Sequence, residues 1–160
     1  MTLQPHATAN DGPGNDRPAK DRPTNDRQRR RTILLVEDEP FVREATCSIL
    51  EHAGFEVLPT ESAQAATKVY EECNCPIDLV MTDMVLVGRS GQQLGQDLRE
   101  RSARLVVLVT SGYGNAGYET EAPELRTYFL AKPYSRRTLL EKIEKILATA
   151  SLARAAKQAG

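Results

Sequence analysis

The amino-acid sequence predicts an α/β protein built on a parallel sheet with flanking helices. From Thr32 onward, short apolar runs alternate with longer amphipathic stretches, the pattern of repeated strand–helix units. Three of these runs also end directly at charged residues, which suits the open edge of a parallel sheet. The strands are expected near residues 32–37, 55–59, 78–83, 104–110 and 127–131.

Helices are expected where apolar residues recur at helical spacing between these strands. The first helix would place Phe41, Ala45, Ile49 and Leu50 on one face. The segment 112–126 contains three glycines and a proline, so any helix there should be short or irregular. The helices are expected over residues 40–53, 62–73 and 91–101, and from a cap at Ser135 to about residue 148, beyond which the last one can continue.

Length and charge suggest one folded domain between two tails. At 160 residues and 40% hydrophobic, the chain supports one proper core. Residues 1–31 hold seven Lys/Arg and four Asp, a charge of about +3, and are too polar to order themselves. We therefore expect a disordered basic tail over 1–31, a domain over 32–148, and a helical extension or tail over 149–160.

The arginine cluster at the end of the basic tail, residues 27–31, has two interpretations. Arginines can pair with the phosphates of nucleic acid or with an acidic partner. A solubilising tail is favoured, because no aromatic residues are interleaved for base stacking.

No stretch approaches the roughly 20 apolar residues of a membrane span, and the N-terminus lacks the apolar core of a signal peptide. We therefore expect a cytoplasmic protein without membrane contact. The cysteines are an odd set, Cys47, Cys73 and Cys75, and the last two lack the spacing and the further Cys/His of a zinc site. Because cytoplasmic thiols stay reduced, all three are expected to be free.

Charged residues follow three of the predicted strands. Asp83 ends one apolar run, Glu37-Asp38-Glu39 follows another, and Lys132-Pro133 follows a third. Taken singly, each group could be a helix cap or a solvated turn. Because the carboxyl ends of parallel strands share one edge, the acids and the lysine can converge, which is the geometry of a magnesium-dependent phosphoryl acceptor.

These motifs, over residues 32–148, resemble a complete receiver domain of the response regulators of two-component signalling. The resemblance implies a flavodoxin-like doubly wound sheet with strand order 2-1-3-4-5. It also implies that Asp83 is the phosphoacceptor and that Mg²⁺ is the cofactor. Asp38, Asp83 and the backbone carbonyl of Val85 would bind the metal directly, and Glu37 would bind it through water.

The same resemblance assigns the switch residues. Ser111 matches the hydroxyl residue that responds to the phosphoryl group, and Thr110 is a less favoured register for that role. Lys132 and Pro133 match the family's lysine and its cis-proline. Phe129, three positions before the lysine, matches the aromatic switch residue.

Two positions depart from the common receiver pattern. Val87 stands where proline is frequent, and Ser90 replaces the aspartate before Gly91. The loop 83–91 resembles the variant found in receivers attached to hybrid histidine kinases. We expect Val87 to leave the loop freer than a proline would.

The implied function is a stand-alone signalling switch with no DNA-binding domain. It would accept a phosphoryl group from a histidine kinase or a histidine phosphotransfer protein and signal to a protein target, as a monomer or a phosphorylation-dependent dimer. Its only catalysis would be self-catalysed phosphoryl transfer and autodephosphorylation. Two alternatives remain open. One is a phosphate sink or relay intermediate, and the other is a magnesium-dependent flavodoxin-like phosphohydrolase, which is less favoured because no Gly-rich phosphate loop is evident.

Overall fold

The computed structural model describes residues 29–73, 75–112 and 126–158, and these ranges contain the expected strands and helices. The predicted irregular helix between the fourth and fifth strands falls on residues 113–125, outside the described residues. The elements, in chain order, are β1 (Thr32–Val36), α1 (Pro40–His52), β2 (Glu56–Thr60), α2 (Ala63–Glu72), β3 (Ile77–Asp83), β4 (Val85–Leu86), β5 (Arg89–Ser90), α3 (Gly91–Arg101), β6 (Val106–Ser111), β7 (Thr127–Ala131) and α4 (Arg136–Gln158).

Five strands form one parallel sheet in the order β2-β1-β3-β6-β7. This is the predicted order 2-1-3-4-5, because the short strands β4 and β5 pair only with each other. Strand β3, which ends at Asp83, therefore lies at the centre, between β1 and β6. The predicted fold class is confirmed.

Alternate residues of the central strands supply two separate cores. Ile33 and Leu35 of β1 face a cluster that includes side chains of α1 and α4, whereas Leu34 and Val36 face a cluster with α2 and α3. All four side chains are buried, and each such burial contributes about 1.5–3 kcal/mol to stability. Because β1 is buried on both faces, it reads as an unbroken apolar run.

The predicted inner face of α1 is wrong at Phe41 and Ala45, which are both exposed, and is confirmed at Leu50, which is buried. Phe41 is 80% exposed, whereas Thr46 and Leu50 are the buried residues of this helix. Thr46 and Leu50 lie on one face of the helix, and helical spacing places Arg43 rather than Phe41 on that face in the first turn. The Arg43 guanidinium donates a hydrogen bond of 2.7 Å to the carbonyl of Glu37, so this face ends in a polar contact with the strand end.

The expectation of three free cysteines is wrong for two of them. Cys73 and Cys75 form a disulfide in the turn between α2 and β3, whereas Cys47 is free. The turn brings their Cα atoms to 5.2 Å, within the range that a disulfide bridges. Neither free thiols nor a zinc site, the two states considered from the sequence, accounts for a bond between Cys73 and Cys75.

Both ends of the fold meet at the start of β3. The buried carboxylate of Asp78 accepts hydrogen bonds of 2.9 and 2.7 Å from the Arg29 guanidinium and one of 2.9 Å from the Thr32 amide. Arg154, near the end of α4, lies 3.8 Å from the same carboxylate. The predicted tail of residues 1–31 is therefore tied to the fold at its last residues. Residues 1–28 lie outside the described ranges.

The last helix also continues beyond the boundary predicted at residue 148. It runs to Gln158, and the hydroxyl of Ser151 accepts a hydrogen bond of 3.2 Å from Arg31. Among the described residues, no helix is long and apolar enough to cross a membrane.

Replacing Asp78 with alanine should lower the free energy of unfolding by about 2–3 kcal/mol. The change leaves the buried Thr32 amide unpaired and removes the charged partner of Arg29. Glu71→Ala is the matched control, since it removes an exposed carboxylate paired with Arg101 and should cost less than about 1 kcal/mol. Urea denaturation measures both values, and equal losses would contradict the role given to Asp78.

Candidate phosphoacceptor site

The charged residues predicted from the strand ends do meet at the carboxyl edge of the sheet. Asp83 closes β3, Glu37 and Asp38 follow β1, and Lys132 follows β7. Glu37 is buried and Asp38 is partly buried, so the acidic run after β1 is not simply a solvated turn. Only Glu39 has the capping role, because its carboxylate accepts a hydrogen bond from the Phe41 amide at the start of α1.

A single ammonium group holds the acidic edge together. Lys132 Nζ donates hydrogen bonds to Asp83 Oδ2 at 2.6 Å and to Glu37 Oε2 at 3.1 Å. The side chains of Lys132, Asp83 and Glu37 are 23%, 17% and 6% exposed. Because water screens these charges only partly, the pairing is much stronger than on an open surface.

The protonation of Lys132 follows from this environment. Burial of the ammonium is the largest influence on its pKa and lowers it, but hydrogen bonds and charges from Asp83 and Glu37 together raise the pKa above the ordinary 10.5. Lys132 is therefore positively charged throughout the neutral range. The Lys132 ammonium therefore acts at this edge as a permanent positive charge, not as a general acid that gives up its proton.

The second oxygen of Asp83 is oriented by the segment that follows it. The amide of Val85 donates a hydrogen bond of 3.1 Å to Asp83 Oδ1. The amide of Met84 in turn bonds to the Thr110 carbonyl at 2.7 Å, which ties this segment to β6. Asp83 is thus held from both sides while it faces the edge of the sheet.

Gly91 permits the close approach of α3 to this site. A Cβ at this position would overlap the carbonyl oxygen of Asp83 and lie 2.6 Å from Thr82 Oγ1. The Gly91 amide instead bonds to the Met84 carbonyl at 2.9 Å. Sequence analysis gave Gly91 no role. The available signal was a glycine at the first position of a helix, where a side chain would normally be preferred.

The loop between Asp83 and α3 is an ordered hairpin rather than an irregular segment. Strands β4 and β5 pair across a two-residue turn in which Val87 is 82% exposed and Gly88 has φ +78°. A positive φ at only the second turn residue is typical of a type II turn, which favours glycine there. Ser90 caps α3 in a capping box with Gln93, so this departure from the family pattern keeps a good helix start.

Of the predicted switch residues, Ser111 lies on the strand that pairs with β3, and Phe129 lies one strand further away. Ser111 ends β6, and its carbonyl accepts a hydrogen bond of 2.7 Å from the Lys132 amide. Thr110 is buried, and its hydroxyl faces the Thr82 carbonyl at 3.4 Å, which leaves Ser111 as the hydroxyl residue at the edge. Phe129 packs against the buried cluster shared with α2 and α3. The peptide bond between Lys132 and Pro133 is cis.

The donor groups at this edge suit a hard divalent cation. Asp38, Asp83 and the carbonyl of Val85 offer oxygen only, which magnesium prefers. Within the described ranges, no group of three or more His, Cys, Asp and Glu is arranged to hold a metal by itself. Magnesium sites commonly use one or two carboxylates together with waters and phosphate oxygens, so two aspartates and a carbonyl are a sufficient protein contribution.

Replacing Lys132 with methionine should lower the free energy of unfolding at neutral pH by about 2–3 kcal/mol, because Glu37 and Asp83 lose their charged partner. The lysine pKa is raised in the folded state, so this contribution is complete below the ordinary pKa of 10.5 and is lost as the pH rises through the folded value. The difference between the two proteins should therefore stay constant through the neutral range and shrink in alkaline solution.

Denaturation by urea across a pH series measures this difference. Lys145→Met, which makes the same change on an exposed position of α4, is the control and should alter stability little at any pH. A pH-independent loss, or an equal loss in the control, would show that the Lys132 ion pairs do not stabilise the fold.

Comparisons with known proteins agree with this geometry. A family model described as the response regulator receiver domain matches residues 33–144. The sensor kinase CckA of Brucella abortus is 30% identical over 117 residues, which cover 72% of this chain and 12% of that protein. The chain spans between 12% and 56% of the length of curated relatives that it matches.

Solved structures show the same architecture. The receiver domain of the hybrid histidine kinase CckA is 33% identical with a TM-score of 0.61, and the match covers 72% of this chain and 98% of that one. The response regulator TrrA of Thermotoga maritima, solved in complex with Mg²⁺–BeF, is 26% identical with a TM-score of 0.63 over 72% of this chain and 98% of its own. With the family model spanning most of the chain, this protein belongs to the response regulator receiver domain family.

Proposed function

We propose that Asp83 accepts a phosphoryl group from a phosphohistidine of a histidine kinase or a histidine phosphotransfer protein. An oxygen of the Asp83 carboxylate attacks phosphorus, an O–P bond forms, and the N–P bond to the donor imidazole breaks. The observation that carries the proposal is the 2.6 Å contact between Lys132 Nζ and Asp83 Oδ2 at the edge of the sheet. This contact supports the proposal, because a positive charge beside Asp83 would offset the negative charge of an incoming phosphoryl group.

Charge neutralisation is the main requirement of this reaction. Glu37, Asp38 and Asp83 lie on one edge, and the incoming phosphoryl group brings further negative charge. In this proposal Lys132, which is near Glu37, would pair with a phosphoryl oxygen, and Ser111, at the end of β6, would donate its hydroxyl to another. Bound Mg²⁺ would supply the remaining positive charge. Asp38, Asp83 and the Val85 carbonyl would hold it directly, and Glu37 through water.

The output would be a rearrangement of the adjacent strand ends. Phosphorylation adds a charge of about −1.5 to −2, by analogy with modified hydroxyl residues. This charge attracts the Ser111 hydroxyl and the Lys132 ammonium, and the two residues are already joined through the Ser111 carbonyl and the Lys132 amide. Movement of Ser111 vacates space beside β7, and Phe129 on that strand rotates towards it. The protein would then signal by contact with a protein target, as a monomer or a phosphorylation-dependent dimer.

The surface around the acceptor favours a protein as the donor. Among the described residues, five large apolar side chains are exposed, and four of them belong to segments bordering Asp83. Phe41 and Val42 lie on the first turn of α1, and Val85 and Val87 lie on the hairpin after Asp83. Grouped exposed apolar side chains are typical of a protein interaction site. We place the reaction in the cytoplasm as part of the same proposal.

The protein acts in this proposal as a regulatory phosphoacceptor. Its catalysis would be limited to its own phosphorylation and to loss of the phosphoryl group by hydrolysis. Receiver family membership supports this role more than a phosphohydrolase, which would turn over added phosphate esters without retaining the group.

Incubation with acetyl phosphate and Mg²⁺ should add one phosphoryl group to the chain, measured as intact mass. Asp83→Asn should abolish the gain, because the amide is a far weaker nucleophile than the carboxylate. A chelator should reduce the gain strongly, because the acidic edge would then repel the donor. Asp97→Asn is the matched control, since it makes the same change at a part-exposed aspartate paired with Arg89, and it should keep the full gain.

A phosphorylated histidine kinase serves as second donor if acetyl phosphate gives no gain. Failure of both donors, or a gain that persists in Asp83→Asn, would refute the proposal. Steady release of phosphate from a small ester without any phosphorylated protein would instead indicate a phosphohydrolase.

Replacing Phe41 with serine should slow transfer from a phosphorylated kinase about tenfold while leaving the reaction with acetyl phosphate unchanged. Phe41 is 80% exposed and touches no buried cluster, so its loss should affect docking rather than folding. Transfer is measured as loss of label from the kinase. Leu152→Ser, at the exposed apolar residue on α4, is the control and should leave both reactions unchanged. Equal effects of the two variants would exclude α1 as the docking surface.

A further inference from the structure

The disulfide between Cys73 and Cys75 lies in the turn from α2 to β3, at the end of β3 remote from Asp83. Both cysteines are partly buried, and neither belongs to the two buried clusters. Cys47, in contrast, packs against the cluster with α1 and α4. The bonded pair is therefore partly exposed and outside the buried clusters, whereas Cys47, which is also partly buried, contributes to the packing.

The fold gains little from this bond. A disulfide stabilises mainly by restricting the unfolded chain, and the effect grows with the number of residues enclosed. This bond joins residues only two positions apart. The end of α2 is also held without it, because the Cys73 amide donates a hydrogen bond of 2.9 Å to the Val69 carbonyl. The native structure should persist when the bond is broken.

We propose that Cys73 and Cys75 form a reversible thiol–disulfide site that reacts with small thiols or with a dithiol reductase. A thiolate of the reductant attacks one sulfur, a mixed disulfide forms, and the other cysteine leaves as a thiolate that takes up a proton. A second reductant thiol then attacks the mixed disulfide and releases the first cysteine. The protein gains two electrons and two protons, and the reductant is oxidised to its disulfide.

The position of the pair explains why such a reaction can be tolerated. Reduction frees only the turn before β3, because the next element is anchored by Asp78 and by pairing of β3 with β1 and β6. In the cytoplasmic location that belongs to the proposed function, disulfides are typically transient and redox-sensing rather than structural. This site is independent of the proposed phosphoryl chemistry at Asp83.

Cys47 provides an internal contrast. Burial raises the pKa of its thiol, with a further rise from the nearby charge of Glu51, so little of the reactive thiolate is present at neutral pH. A thiol reagent applied to the folded protein should therefore modify Cys47 slowly. The Cys47→Ser chain removes this background and leaves only the pair.

The test exposes the native Cys47→Ser chain to an excess of reduced glutathione, blocks free thiols with N-ethylmaleimide and measures intact mass. We expect two maleimide adducts after reduction, and their loss when the reduced chain is first returned to oxidised glutathione. Reduction that requires denaturant would overturn the proposal, because the bond would then be structural. Two maleimide adducts that persist after the reduced chain is returned to oxidised glutathione would also overturn the proposal, because the two cysteines would then not form a disulfide.

A second variant separates accessibility from pairing. With Cys75→Ser added, the Cys73 thiolate should attack oxidised glutathione, form one mixed disulfide and release one reduced glutathione. This mixed disulfide should be stable, since no neighbouring thiol can displace the bound glutathione. Far-UV circular dichroism should be the same for all these proteins. A folded variant that takes up no glutathione would show that Cys73 is not accessible and would contradict the proposal.

Discussion

The ammonium of Lys132 is the interaction on which this edge of the sheet depends. It lies between Glu37 and Asp83, which would otherwise repel each other across adjacent strands. Strand order explains why a lysine is needed. Lys132 follows β7, which is two places from β3, a separation of about 10 Å between backbones. Only a long side chain can therefore cross the intervening strand to reach Asp83. The crossing passes the end of β6, where the residue is the small Ser111.

The parts of the fold that sequence predicts well are those set by local pattern. Strands buried on both faces read as continuous apolar runs, so the ends of β1, β3 and β7 could be located closely. Parallel topology then places all three ends at one edge, and the meeting of Asp83 with Lys132 follows. The sequence also shows that Val87 and Ser90 depart from the common receiver pattern. It does not show that Val87 lies in the turn of a hairpin.

The features that sequence analysis missed depend on neighbours distant in the chain. Phe41 is the most apolar residue in its turn, yet it is exposed because the sheet engages the Thr46 and Leu50 side of the helix. Gly91 is required only because the Asp83 carbonyl and Thr82 lie against it. The disulfide requires a turn whose geometry no periodic pattern encodes. Each of these features depends on contacts that exist only once the sheet is assembled, so none can be predicted from the local sequence.

The network around Asp78 brings the two ends of the domain together at one edge of the sheet, opposite the edge that carries Asp83. Arg29, just before β1, and Arg154, near the end of α4, both lie beside the Asp78 carboxylate, so the start and the end of the described domain share the edge opposite Asp83. Neighbouring ends of this kind are compatible with circular permutation. If the protein were immobilised through α4 on the surface of a biosensor, the edge with Asp83 would face the solution. The association and dissociation rates of a partner that binds at that edge could then be measured without steric hindrance from the sensor surface.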